Sequence, residues 1–216
     1  MSKKHSSKSG PKPAPARAGV ANQVRIIGGQ WKRTPLPVLA AEGLRPTPDR
    51  VRETVFNWLH HLFDGQWASL HCLDLFAGTG VLGFEAASRG AARVVCVENN
   101  PVVLHQLEAN KEKLQAEQIS ILRGDALFHA QRLAGSSPFH LIFLDPPYHM
   151  GWLAKVMPLC APLLAQGGVV YVESEVCLLD EIAPEWLEDW HIVRADRAGA
   201  MFYHLLQSKK THRNEA

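Results

Sequence analysis

Residues 71–83 read HCLDLFAGTGVLG. An apolar run ends at Leu75, a glycine-containing turn follows, and a helical pattern then continues to about residue 89, where Gly90 is a stop signal. The same order repeats along the chain. Strands are predicted at 71–75, 93–98, 119–123, 141–144 and 169–172, with helices at about 79–89, 101–115, just after 125, and 152–165. This alternation predicts a parallel sheet with helices on both faces.

The two ends of the chain extend this sheet. Strand-like runs at 190–194 and 201–206 are joined near Gly199, and so short a link predicts an antiparallel hairpin. The result is a seven-stranded, mostly parallel α/β sheet of the Rossmann-like kind. Residues 24–38 predict a second, small hairpin that turns at Gly28-Gly29.

A helix is predicted after this small hairpin, with Thr47 as its N-cap and Pro48 at its first position. Its expected buried stripe is formed by Val51, Val55, Trp58, Leu59 and Leu62. We therefore divide the chain into a disordered basic tail (1–22), a hairpin and helix (23–63), the α/β domain (64–208) and a short basic tail (209–216).

Charge is distributed unevenly along the 216 residues. Residues 1–63 carry 11 Lys/Arg against 3 Asp/Glu, whereas residues 64–208 carry 9 against 17. A basic N-terminal third on an acidic body predicts that a polyanion is gripped at one end. The side chains expected to contact this polyanion are Arg25, Lys32, Arg33, Arg45, Arg50 and Arg52, although Arg50 and Arg52 could instead pair with Asp49 or Glu53.

Other classes of protein are disfavoured by the composition. The four cysteines form no CxxC pair and the eleven histidines form no HExxH pattern, so we expect reduced thiols and no metal. No apolar run approaches the roughly 18 residues of a membrane span, and the N-terminus lacks the apolar stretch of a secretory signal. A cytoplasmic protein is expected, and a monomer, because no long apolar stripe is left unassigned.

Acidic residues follow three successive strands of the predicted sheet. Asp74, Glu98 and Asp125 come at the ends of the first, second and third strands. They suit a ligand with an ammonium group, a ribose and an adenine, and they suit a pyrophosphate poorly. Each could also be an ordinary cap of a loop or helix. The GxGxxG spacing of Gly78, Gly80 and Gly83 would by itself fit a dinucleotide dehydrogenase as well.

The fourth strand runs into Asp145-Pro146-Pro147-Tyr148. Two prolines fix φ and remove backbone donors, so this turn presents acceptors in a stiff geometry. Asp145 and the Pro146 carbonyl can accept hydrogen bonds from an NH2 group, and Tyr148 can stack on a flat ring. The turn therefore predicts a site for a planar base with an exocyclic amine, which a nicotinamide oxidoreductase would not need.

These motifs resemble those of class I S-adenosylmethionine-dependent methyltransferases that modify exocyclic amines. With RIIGGQWKRTPL at 25–36 and LRPTPDRVRETVFNWL at 44–59, the chain resembles the bacterial 16S rRNA guanine-N2 methyltransferase family. The resemblance implies S-adenosylmethionine as cofactor and 16S rRNA, within an assembling 30S subunit, as partner. It implies catalytic roles for Asp145, Pro146, Pro147 and Tyr148. The cofactor-binding set it implies is Asp74, Phe76, Ala77, Gly78, Gly80, Glu98, Asn99, Asp125 and Ala126.

Alternatives remain open on the sequence. A DNA adenine or cytosine methyltransferase would use the same turn but usually carries a separate target-recognition domain. A protein glutamine methyltransferase normally has Asn where Asp145 stands. A ribosome-assembly factor that kept the fold and lost catalysis is a third possibility.

Overall fold

The computed structural model describes residues 22–38, 47–179 and 183–210. Strands β1 (Asn22–Arg25) and β2 (Pro35–Val38) form the small antiparallel hairpin. The main sheet contains β3 (His71–Asp74), β4 (Arg93–Glu98), β5 (Ile119–Arg123), β6 (Phe139–Leu144), β7 (Leu164–Ser174), β8 (Trp190–Ala198) and β9 (Met201–Ser208). Its order is β5-β4-β3-β6-β7-β9-β8; the first five strands are parallel, and β9 runs antiparallel to both β7 and β8. The predicted seven-stranded fold is confirmed.

Within the described residues, five helices cover the two faces of the sheet. They are α1 (Asp49–Leu62), α2 (Val81–Ser88), α3 (Pro101–Leu114), α4 (Ala126–Leu133) and α5 (Trp152–Cys160). Helices α1, α2 and α3 share one apolar core with one side of the strands, whereas α4 and α5 belong to the core on the other side. Neighbouring strand residues such as Cys72 and Leu73 belong to opposite cores because side chains alternate along a strand.

The connection of the small hairpin is longer than predicted. The strands end at Arg25 and begin again at Pro35, so Gly28-Gly29 lies within a nine-residue loop. The backbone N–H groups of Ile27 and Gly28 donate to the Glu85 carboxylate at 2.7 and 2.8 Å instead of continuing the hairpin ladder. The loop is thus anchored to α2.

The start of α1 corrects two predictions. Thr47 is not the N-cap: Pro48 takes that position, and the Thr47 hydroxyl donates to Glu173 Oε1 at 2.6 Å. Leu62 is not buried either, because it lies in the last turn of α1, beyond the core. Phe56 of the same helix is buried in the core.

Helix α5 ends five residues earlier than predicted. It stops at Cys160, a short 3-10 turn follows at Ala161–Leu163, and β7 already begins at Leu164. The backbone becomes extended at Leu164, with φ −80° and ψ 139°, so the chain leaves the helical conformation there. Asn22 is the first residue of β1, so the predicted disordered tail is one residue too long. Residues 1–21 and 211–216 lie outside the described residues.

Candidate active site

One edge of the sheet gathers the predicted acids, because parallel strands place their carboxyl ends together. Asp74 ends β3, Glu98 ends β4, Asp125 follows β5 and Asp145 follows β6. Sequence reasoning found all four from the same signal, an acid at the end of an apolar strand. All four therefore lie at the carboxyl-terminal edge of the parallel strands.

The glycine-rich turn between β3 and α2 is fixed to β4. Gly78 N–H donates to Glu98 Oε2 at 2.9 Å, and Ala77 N–H donates to the Val97 carbonyl at 3.0 Å. Gly80 has φ +76°, and a Cβ there would lie 2.3 Å from a Leu107 methyl, so this glycine is required by packing as well. The turn is therefore a rigid backbone surface over which a ligand can lie.

Glu98 is oriented by three backbone donors. Besides Gly78 N–H on Oε2, its Oε1 accepts from the N–H groups of Asn99 and Asn100 at 2.9 and 2.7 Å. The helix cap for α3 comes from Asn100, whose side chain accepts from Val102 N–H. Oε1 already accepts two hydrogen bonds, whereas Oε2 accepts one and keeps a second lone pair, so Glu98 can still accept from a ribose hydroxyl through Oε2.

Asp125 caps α4 through a single oxygen. Its Oδ1 accepts from Leu127 and Phe128 N–H at 2.9 and 3.0 Å, so the alternative capping role is present. Both bonds use Oδ1, and the side chain as a whole is exposed, so Oδ2 can accept from an adenine amine. Ala126 is buried at the first position of the helix.

Two exposed apolar side chains near these acids were missed by the sequence reasoning. Val102 and Phe128 stand in the first turns of α3 and α4, and each is more than half exposed. Apolar residues at the mouth of a polar site are suited to cover a flat ring. The signal available in the sequence was an apolar residue a few positions after the acid that ends or follows a strand.

The buried carboxyl group of Asp74 has a free acceptor oxygen that a cationic ligand could satisfy. It is 1% exposed, and among the described residues no group hydrogen-bonds its Oδ1. The pKa of Asp74 is raised to about 7, and burial is the largest cause. Hydrogen bonds from the backbone N–H groups of Phe76 and Gly83 lower this pKa, whereas the charges of Glu98 and Glu173 raise it. A buried unpaired acceptor costs about 1–3 kcal/mol. The ammonium of S-adenosylmethionine is a donor that would satisfy it, so the residues present fit this cofactor.

Phe76 and Trp152 form an aromatic wall beside the glycine-rich turn. Their rings meet edge to face with centroids 5.6 Å apart, which joins the end of β3 to the start of α5. Trp152 was not predicted. Its buried Nε1 has no acceptor in the part of the chain that the structure describes.

The Asp145–Tyr148 turn has a buried and an exposed half. Asp145 is partly buried and Pro146 fully so, whereas Pro147 is exposed and Tyr148 is 36% exposed. Burial raises the pKa of Asp145 well above its ordinary value, and the neighbouring Glu173 and Asp74 charges raise it further. The turn thus holds acceptors inside and an aromatic ring at the rim, as a site for an amine-bearing base requires.

Glu173 was missed, although it obeys the rule that found the others. It follows the apolar run Val169–Val172 of β7 and is 2% exposed. Its Oε1 accepts from Thr47 Oγ1 at 2.6 Å and from the Tyr171 hydroxyl at 2.9 Å. Burial raises its pKa, while those two hydrogen bonds lower it.

The predicted RNA-contacting set is only partly at the surface. Lys32, Arg33 and Arg50 are exposed, and Arg25 is largely exposed while pairing with Asp49 at 2.7 Å. Arg45 lies outside the described residues.

Arg52 requires a correction. It is 0% exposed, and it donates to the Thr47 and Arg25 carbonyls and to Asp49 Oδ1, with Glu85 3.6 Å away. Its guanidinium therefore has no surface for a phosphate and joins the hairpin to α1 and α2. The alternative pairing with Asp49 is the correct one for this residue.

Within 22–38, 47–179 and 183–210, no group of three or more His, Cys, Asp or Glu side chains could hold a metal ion. No helix in these ranges is long and apolar enough to cross a membrane.

Comparisons with known proteins show which family this chain resembles over most of its length. The family described as Conserved hypothetical protein 95 matches residues 24–207. The chain is 39% identical over 199 residues to "Ribosomal RNA small subunit methyltransferase D" of Escherichia coli K12, covering 91% of this chain and 96% of that protein. A protein of the same name from Haemophilus influenzae is 38% identical over 192 residues, 86% of this chain and 94% of the other. A solved structure described as a putative methyltransferase yhhF from Escherichia coli superposes with a TM-score of 0.73 and 38% identity, over 87% of this chain and 98% of that one.

Proposed function

The chain belongs to the family described as Conserved hypothetical protein 95, and from that premise we propose that it transfers a methyl group from S-adenosylmethionine to the N2 amine of a guanine in 16S rRNA. The single observation that carries the proposal is the Asp145–Tyr148 turn, set beside the acids of neighbouring strands. The names of the relatives support the rRNA substrate. The guanine N2 acceptor rests on the resemblance of the sequence motifs.

S-adenosylmethionine supplies a methyl group that is already activated on a sulfonium. Asp74 would accept from its ammonium, Glu98 from a ribose hydroxyl and Asp125 from its adenine amine. Gly78 and Gly80 would lie under it, with Phe76, Ala77, Asn99 and Ala126 lining the same cradle. These residues bind and orient; they need not take part in bond making.

The target amine needs placement more than activation. It has to lie about 3 Å from the methyl carbon and in line with the bond that breaks. The lone pair of a guanine amine is delocalised into the ring, which makes the nitrogen a poor nucleophile. Hydrogen bonds from its NH2 to Asp145 and to the Pro146 carbonyl would localise that pair, and would stabilise the positive charge that develops on nitrogen.

The base must leave its stack to reach this turn. Tyr148 would provide the new stacking surface, and Pro147 would keep the ring of Tyr148 at the rim. The exposed Lys32, Arg33, Arg50 and Arg25, with Arg45, would hold the phosphates around it. So small a basic surface gives little sequence information, which supports an assembling 30S subunit as the form in which the base is presented.

The test uses purified full-length protein, labelled S-adenosylmethionine, and small subunits from cells that lack this modification. Naked 16S rRNA, total protein and DNA serve as parallel acceptors. Label in the RNA of the subunits supports the proposal. Label only in DNA or protein supports the rival acceptors. Cofactor binding with no transfer to any acceptor would support an assembly factor that no longer catalyses.

A further inference from the structure

Glu173 stands beside the catalytic turn without a role in the chemistry described so far. In the register of β6 and β7, Leu144 pairs with Val172, so the next residues, Asp145 and Glu173, leave neighbouring parallel strands side by side. Both acids thus lie at the same edge of the sheet. Of the charges that act on Asp145, that of Glu173 is the strongest.

The hydrogen bonds of Glu173 favour its ionised form. Thr47 and Tyr171 both donate to Oε1, and both are buried, so neither donor is easily exchanged for water. Hydrogen bonds to a carboxylate stabilise the charged state. A glutamine would accept the same two bonds without placing a second charge next to Asp145. Burial opposes these hydrogen bonds by raising the pKa of Glu173, so the ionised form depends on the two donors.

Building on the function proposed above, we propose that Glu173 is a positioning residue for methyl transfer: held ionised by Thr47 and Tyr171, it makes Asp145 the acceptor of the proton that the target amine loses. The nitrogen forms its bond to the methyl carbon while the carbon–sulfur bond of the donor breaks and its electron pair stays with sulfur. The nitrogen then bears a positive charge and gives one proton to the Asp145 carboxylate. Glu173 remains ionised throughout.

Other groups around Asp145 do not replace Glu173 in this role. Asp74 faces it from β3, with Glu98 of β4 acting on Asp74, but Asp74 is turned to the cofactor ammonium in the proposed complex. Tyr148 in the turn and Tyr171 in β7 have pKa values raised by burial; the charge of Glu175 acts on Tyr148, and Tyr203 of β9 acts on Tyr171. The phenols stay neutral over the pH range in which carboxyls titrate.

The Thr47 bond extends the arrangement to the N-terminal part of the chain. Thr47 precedes α1 and is separated from Glu173 by 126 positions in sequence. It lies where the chain passes into the helix that carries Arg50. Removing its hydroxyl should weaken the ionised state of Glu173 and reproduce part of the effect of removing the charge.

The experiment compares Glu173→Gln, Thr47→Val and the wild type. Glu117→Gln is the matched control, since Glu117 is exposed near the opposite end of the sheet. Aspartate carboxyls labelled with 13C are titrated by NMR in the absence of substrate, and kcat and KM are measured against pH with small subunits. In Glu173→Gln, we expect the midpoint of the Asp145 titration and the acid limb of the kcat–pH profile to move about one pH unit lower. This is the size of shift expected when one neighbouring like charge is lost. Plateau kcat should fall about threefold to tenfold, because a less basic Asp145 accepts the proton less readily.

Thr47→Val should shift both curves in the same direction by less, and Glu117→Gln should shift neither. Unchanged Asp145 titration in folded Glu173→Gln would overturn the proposal, as would a loss of activity with the acid limb in its wild-type place. The NMR titration needs no substrate. It therefore decides the role of Glu173 separately from the proposed function, which fails only if the wild type methylates no rRNA.

Discussion

Replacing Asp145 by alanine removes the charged acceptor for the target amine. Asp145 is one of two acceptors that the turn offers to the NH2 group, and the other, the Pro146 carbonyl, is retained in the variant. Losing one preorganised electrostatic partner costs about 2.7–4 kcal/mol of transition-state stabilisation, a fall in kcat of about 10²- to 10³-fold. Asp145→Asn should lie between wild type and alanine, because its amide oxygen still accepts but carries no charge.

Single-turnover methyl transfer to small subunits measures this loss, with cofactor affinity measured by calorimetry. The dissociation constant for S-adenosylmethionine should stay within about fivefold, less than 1 kcal/mol, because the proposed cofactor contacts of Asp74 and Glu98 are retained. Asp64→Asn is the control: Asp64 is exposed and has φ +48°, a conformation that Asn tolerates. Turnover of Asp145→Ala within threefold of wild type would refute the role of the turn.

Four further outcomes follow from the structure. Asp74→Asn should weaken cofactor binding. It should also flatten the fall in the free energy of unfolding of the ligand-free protein between about pH 4 and 7. A carboxyl whose pKa is raised in the folded state destabilises the fold as pH rises through that window, by up to about 4 kcal/mol, and melting at several pH values tests this. Glu85→Ala should cost about 3–5 kcal/mol in chemical unfolding, because it removes the buried carboxylate that pairs with Arg89, lies beside Arg52 and anchors the hairpin loop. Tyr148→Phe should retain near-wild-type kcat because the ring does the stacking, and a large loss would assign a role to the hydroxyl. Lys32→Glu should weaken RNA binding and reduce its salt dependence, whereas the exposed Arg132→Glu on α4 should not.

The parts of the fold and site that could be predicted depend on local signals. Strand periodicity, the glycine-rich turn and the position of Asp74 or Asp145 at a strand end can all be seen within a dozen residues. Parallel topology then brings the acids together without further information. Asp125 shows the limit of this reasoning, because its side chain caps α4 and is also available to a ligand.

The errors at Thr47 and Arg52 occurred because each side chain has partners from distant parts of the chain. Thr47 has the sequence context of a helix cap, yet its partner is Glu173, 126 residues away. Arg52 belongs to a basic cluster in sequence, yet the fold encloses it between the hairpin, α1 and α2, where Glu85 approaches it. Glu173 itself could have been predicted from the sequence, since it follows an apolar strand run as the other acids do.

The identity of the methylated nucleoside tests the central claim most directly. Small subunits lacking the modification are incubated with the protein and labelled S-adenosylmethionine, the rRNA is digested, and the labelled nucleoside is identified by chromatography and mass spectrometry. The account predicts N2-methylguanosine from a single site of 16S rRNA. Label in methyladenosine, methylcytidine or the ribose, or none in RNA despite cofactor binding, would contradict it.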